Sequence, residues 1–265
     1  MPNENGVFPH DYCFAASGNL APSPGNIDEM RERAFRRRPS HSAEKFTDAD
    51  IGVFKFGTMI SRDEKDIMEL HLEPGIVCGT PDMCHGSDVE HADLTVRKKL
   101  GDMILPSKNK EMPMAPNFFL EVKSLKGNLA EANLQALHTC ALGERGQMAT
   151  RGWHREGLGL DEKAHTITGT YSGGMLTMYS IHAGRHQTYN DQLEFYMNKI
   201  VLILITDNAE GFRRGISMYQ NLRDFADEQR NESIAMANEM AYPTGKIVSA
   251  PSIPLAKSNL WVQIL

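Results

Sequence analysis

No run of apolar residues in this chain is long enough to span a bilayer, so no membrane partner is expected. The first residues, MPNENGVFPHDYC, have no basic segment followed by an apolar one. No secretory leader is expected there, and the sequence points to an intracellular place, nuclear or cytoplasmic. Cysteine is scarce: Cys13, Cys78, Cys84 and Cys140 are widely spaced, which argues against a disulfide framework and for a reducing compartment. Cys78, Cys84, His85 and His91 stand near enough in sequence to raise zinc, but their spacing matches no common zinc pattern. Positive charge is not in excess: 28 Lys and Arg face 34 Asp and Glu, a net charge of −6. That balance disfavours a protein that coats nucleic acid, although a local basic groove survives such a total. There is no internal repeat.

The chain does have enough apolar content, 41% of 265 residues, for one full core with or without appendages. Residues 1–45 are rich in Pro, Ser, Gly and Asn and read as a disordered N-terminal region. Their one charged cluster, Arg31 to Pro39, reads as a solvated charge run, a nuclear-import signal or a phosphate-contacting patch. Order is expected from about Phe46, with mixed helix and loop signals to Met59. Ser61-Arg62-Asp63-Glu64 has the form of a capping box and opens a helix to about Leu72, which gives Glu64 a sufficient structural role. Pro81-Asp82 ends a short apolar run, where Asp82 serves as a turn former or a metal ligand. Ser87 or Asp88 can cap a helix carrying Val89, Ala92, Val96, Leu100 and Met103 at helical period.

The stretch Pro116-Asn117-Phe118-Phe119-Leu120-Glu121-Val122-Lys123 reads as a buried strand. Residues two apart share a face, so Glu121 and Lys123 stand side by side on an apolar element. A buried charge is costly unless paired or bound to a metal. A structural ion pair is the plainer explanation and a catalytic pair the other. Asn128 is placed to cap the next helix, whose stripe runs through Leu129, Ala132, Ala136, Leu137 and Cys140; Gln135 falls off that stripe. His165 to Tyr171 and Met175 to His182 alternate as strands around the turn Ser172-Gly173-Gly174. Tyr196 to Thr206 is β-branched and about strand length and reads as a central strand, although a buried helix has the same pattern. A long helix follows, capped by Asp207 or Asn208 and running to about Met240. One face is apolar; the other carries Arg213, Arg214, Arg223, Asp224, Asp227, Glu228 and Arg230, as a solvated surface or a backbone-contacting one. Residues 242–265 read as a tail.

Several of these stretches, in this order, resemble an uncharacterised fungal group within the PD-(D/E)XK nuclease superfamily. They are APNFFLEVK, Gln135-Ala136 with Ala141 to Gly146, HTITGTYSGGMLTMY and EGFRRGISMYQNLRDFADEQR. The resemblance covers about residues 46–241. It implies an α/β fold, a mixed central sheet flanked by helices around a restriction-endonuclease-like core, with the site at one sheet edge. It matches Glu64 to the acidic residue of a first helix and Pro81-Asp82 to the Pro-Asp element. Glu121 and Lys123 match the Glu-x-Lys pair, and Gln135 the glutamine of the following helix. Residues 83–120, with a helix among them, stand where the superfamily has a short link. The implied activity is metal-dependent hydrolysis of phosphodiester bonds in nucleic acid, DNA foremost. Mg²⁺, or Mn²⁺, would be held by Asp82, Glu121 and the backbone carbonyl of Val122. Lys123 would orient or deprotonate the attacking water or stabilise the developing charge, Glu64 would join a second metal or position water, and Gln135 would orient Lys123 or the substrate backbone. A homodimer is an allowed assembly. The alternative is a non-catalytic binding or interaction protein, such as a fungal effector, on a retained nuclease fold.

Overall fold

The computed structural model describes residues 6–45, 47–60, 82–106, 113–124, 126–155, 159–185 and 193–241. The fold is α/β: a mixed sheet flanked by helices. Its strands are β1 (Val7–Phe8), β2 (Met83–Ser87), β3 (Met114–Lys123), β4 (Ala164–Ser172), β5 (Met175–Arg185) and β6 (Leu193–Leu204). They lie side by side in the order β1-β6-β5-β4-β3-β2. The helices are α1 (Ile27–Ala34), α2 (Asp48–Ile60), α3 (Leu94–Ile104), α4 (Leu129–Gly152) and α5 (Ala209–Ala241). Among the described residues, no helix is long and apolar enough to cross a membrane.

Strand β3 is second from one edge of the sheet. It pairs parallel to β4 and antiparallel to β2, and nine of its ten residues are buried. A parallel neighbour needs a crossover, and α4 supplies it. Strand β3 buries both faces, as a strand roofed on both sides must. Phe118, Leu120 and Val122 enter the main core, which α1 and α5 close with Met30, Tyr219, Leu222 and Phe225. Phe119 faces the other way, onto α4; a Cβ at Gly143 would lie 2.7 Å from its ring, so helix and strand meet almost backbone to ring. Strands β4 and β5 form a hairpin in which Gly173 and Gly174 both take positive φ, 58° and 85°. That is the geometry of the tight turn expected from Ser172-Gly173-Gly174.

The Tyr196 to Thr206 segment is a strand to Leu204 and not a buried helix: β6 pairs with β5 along its length and with β1 only at Phe195 and Tyr196, so it lies next to the sheet edge and not at the centre. Helix α5 opens as expected, with Asn208 Oδ1 accepting from Gly211 N at 2.8 Å. Asn128 caps α4 by accepting from Ala130 N and Glu131 N. The helix expected from Ser87 starts later. Ser87 ends β2, Val89–His91 make one 3₁₀ turn, and α3 begins at Leu94, with Asp93 Oδ1 accepting from Thr95 N at 2.7 Å. Asp93 wins because its carboxylate reaches the amide two residues on.

The larger correction concerns residues 1–45. From residue 6 they are an ordered part of the one core. Strand β1 extends the sheet beside β6, and Phe8 stacks on Tyr196 with ring centroids 5.4 Å apart. Ile27, Met30 and Ala34, at helical spacing on α1, are buried. The Asn26 side chain donates to Ala164 O (2.9 Å) and accepts from Ala164 N (3.0 Å), as a neighbouring strand would. Low apolar content misleads here because a few well-placed apolar residues, Phe8, Ile27, Met30 and Ala34, are enough to pack the segment against the core. The folded unit therefore begins before residue 46. Residues 242–265, the helix expected over 61–72, and Glu64 and Pro81 with it, lie outside the described residues.

Candidate active site

Alternation along β3 turns Glu121 and Lys123 away from the main core and toward the α4 face, opposite to Leu120 and Val122. Met83 pairs with Leu120, so Asp82, at the entry to β2, stands opposite Glu121. Its Oδ2 accepts the Val122 amide hydrogen at 2.7 Å. Asp82 is thereby tied to the backbone between the two residues of the Glu-x-Lys pair. The long intervening segment, residues 83–120, does not separate them: it leaves along β2, passes through α3 and returns along β3.

Glu121 is 2% exposed, and its Oε1 has no hydrogen-bond partner among the described residues. Burial pushes its pKa up to about 8; the nearby Asp82 carboxylate pushes the same way, and Lys123 opposes both. An unpartnered buried carboxylate costs a few kcal/mol or more, so such a group takes up a proton or a cation. No direct ion pair joins Glu121 to Lys123 among the described residues; the lysine acts on it only through space. The structural ion pair, the plainer explanation of Glu-x-Lys, is not formed. Lys123 is half-buried, and Gly127 fits beneath its stem, where a Cβ would lie 2.7 Å from the lysine Cβ.

Gln135 lies in the second turn of α4. Its backbone carbonyl accepts from Thr139 Oγ1 (2.9 Å), and its side-chain Oε1 is buried without a partner among the described residues. It makes no hydrogen bond to Lys123 or Glu121 among those residues, so the orienting role is not supplied by a contact. Val122 is fully buried; its side chain joins the opposite core and its N–H is taken by Asp82. Glu64 lies outside the described residues. Among the described residues, no group of three or more His, Cys, Asp or Glu is close enough together to hold a metal. The acidic pair Asp82 and Glu121 is the protein's oxygen donor set at this place. A hard cation such as Mg²⁺ prefers such oxygens and keeps several waters, so the pair fits it.

The row across the sheet from Glu121 runs through Thr170 on β4, Thr177 on β5 and Leu202 on β6. The next row runs from Lys123 through Ser172 and Met175 to Leu204. Leu202 (53% exposed), Leu204 (43%) and Met175 (38%) leave an open, partly apolar strip on β5 and β6, two and three strands across the sheet from the acidic pair.

Sequence reasoning missed a second polar cluster at the other end of β4. His165 Nδ1 lies 2.8 Å from Gln229 Oε1, and its Nε2 lies 3.0 and 3.1 Å from the two Asp161 oxygens. Arg151 donates to Asp161 (2.9 Å), and the buried Glu144 accepts from His165 N (3.2 Å). Burial pushes Glu144 up to about 7. Asp161 falls to about 2 against its own burial, because His165 hydrogen-bonds it and Arg151 lies beside it. The four-residue spacing of Asp161 and His165 is the only local trace of this cluster, and it is too common to have singled it out. Each polar group in it bonds another, which suits a buried brace tying α4, β4 and α5 together.

No family model, no curated protein and no solved structure matches the chain.

Proposed function

We propose that this protein is a metal-dependent phosphodiesterase of the nuclease type, working in the PD-(D/E)XK manner with Asp82, Glu121 and Lys123. One observation carries the reading: the carboxylate of Asp82 is bound to the Val122 amide, beside a buried Glu121 carboxylate that lacks both a hydrogen bond and an ion pair among the described residues. A buried, unpartnered Glu121 carboxylate next to a second carboxylate works against stability, so a charged ligand is its natural purpose. Asp82 and Glu121 would hold Mg²⁺ or Mn²⁺, with the Val122 carbonyl as a further oxygen donor. The bound ion supplies charge neutralisation at the phosphodiester and a more acidic water. Lys123 would orient the attacking water or take a proton from it, or donate a hydrogen bond to the phosphate oxygen on which charge develops. Gln135 and Glu64 remain positioning groups in this proposal, and nucleic acid, DNA foremost, is the substrate class.

A second reading is a non-catalytic interaction protein on the same fold. The open strip of Met175, Leu202 and Leu204 across the sheet from the acidic pair favours it, since apolar side chains exposed together suit a protein partner. Cleavage assays with Mg²⁺ and with Mn²⁺ on circular, linear and single-stranded DNA and on RNA separate the two. Cleavage by the wild type that Glu121→Ala abolishes supports the nuclease. Absence of cleavage on every substrate, with no divalent-cation binding, favours the interaction protein.

A further inference from the structure

Two basic clusters far apart in the chain, Arg36-Arg37-Arg38 and Arg213-Arg214, line one cleft. The turn that follows α1 and the first turns of α5 enclose about 410 Å³, within the range of small-molecule sites. Five arginines in its walls face one glutamate, Glu210, in a protein whose net charge is −6. Bringing like charges together works against folding, so the arrangement needs a reason. Arg36 is tethered to Glu32 (3.1 Å), and Arg38 to Asp224 (2.7 Å) and Asn221 (3.1 Å). Arg213 lies 3.5 Å from Glu210. Arg37 and Arg214 meet no carboxylate among the described residues; the Arg214 guanidinium lies over the Phe35 ring, 5.7 Å from its centroid. Phe35 itself is 51% exposed, and the buried His41, its Nδ1 2.9 Å from Ser217 Oγ, lies below.

Guanidinium forks match phosphate oxygens in geometry and charge. An exposed aromatic ring beside them offers a stacking surface for a flat heterocycle. The cleft is one half-open hollow of small-molecule size, which suits a small molecule better than a strand. It is formed by α1 and α5, on the sheet face opposite to Glu121, so its ligand is separate from that of the acidic pair. We propose that this cleft binds a nucleoside di- or triphosphate, with its phosphates on Arg37, Arg213 and Arg214 and its base on Phe35.

The test is calorimetric titration of the full chain with ATP, with inorganic tripolyphosphate and with a single-stranded oligonucleotide. ATP should bind saturably at one site. Arg37→Glu with Arg214→Glu should weaken it by about tenfold or more, and Phe35→Ala should weaken ATP while leaving tripolyphosphate unchanged. All three side chains are exposed, so melting temperatures should stay near wild type; if the reversals lower them, the Gln pair serves instead. No saturable ATP binding by the wild type overturns the proposal. So does equal ATP binding by the double variant, or an oligonucleotide that displaces ATP through the same arginines. Tripolyphosphate binding as tightly as ATP, with Phe35→Ala silent, overturns the nucleoside assignment. None of these outcomes depends on nuclease activity.

Discussion

The Asp82 carboxylate accepts the Val122 amide hydrogen at 2.7 Å, which fixes an acidic residue from the entry of β2 onto the backbone between Glu121 and Lys123. This bond separates the structural and chemical roles of Asp82. Asp82→Asn keeps an acceptor for the amide but loses the charge, so it should melt near wild type and fail to cleave. Asp82→Ala leaves the Val122 amide without its partner and should also lose about 1–3 kcal/mol of stability. Thermal melts and cleavage rates on the two variants check this together.

Glu121 makes stability fall with pH. Its pKa is about 8 in the folded protein and about 4.3 in an unfolded chain. Between those values the folded state binds the extra proton, so its stabilising effect is full below about 4.3 and is lost as pH rises through about 8. Glu144, near 7, acts in the same direction, so the comparison must be with a variant. Glu121→Gln should flatten part of the decline and melt higher than wild type at pH 8. Added Mg²⁺ should raise the melting point of the wild type at that pH and leave the Gln variant unchanged. Denaturation across pH, with and without Mg²⁺, reads both effects.

Lys123→Ala should remove cleavage without lowering the melting temperature. A lysine holding a buried carboxylate by an ion pair would cost about 3–5 kcal/mol on removal, but no such pair is formed here. Lost turnover with unchanged substrate affinity would place Lys123 in the transition state. A variant that unfolds would contradict the through-space role.

The N-terminal segment is part of the core. Met30→Ala should cost about 2–5 kcal/mol, because Met30 is fully buried between α1 and α5. Limited proteolysis should leave a stable fragment that retains α1. A stable fragment starting near residue 46 would contradict the packing of α1.

The sequence was legible where the signal is local. The β3 stretch, the Asn128 and Asn208 caps and the Gly173-Gly174 turn all follow from side chains acting on their own neighbours. What stayed hidden depends on distant partners. Strand β2, Met-Cys-His-Gly-Ser, has no β-branched residue and is a strand only because β3 lies beside it. Asn26 is ordered by Ala164, and Arg33 on α1 by a two-pronged pairing with Glu228 on α5. For the site, Glu121 and Lys123 could be read from strand alternation. The pairing of Asp82 with them depended on family resemblance, since residues 83–120 lie between. Gln135 stands on the expected helix, but no contact gives it the expected task.

The most direct measurement is a Mg²⁺ titration of the full chain near pH 7, repeated in buffers of different ionisation enthalpy. At that pH Glu121 is mostly protonated, so an ion held by Asp82 and Glu121 must displace a proton. The wild type should bind Mg²⁺ in the millimolar range or tighter and release close to one proton, with affinity rising as pH approaches 8. Glu121→Gln should abolish the proton release and most of the binding. Wild-type protein that binds no Mg²⁺ or Mn²⁺, or binds with the same affinity and proton count as Glu121→Gln, would contradict the metal site and the nuclease with it.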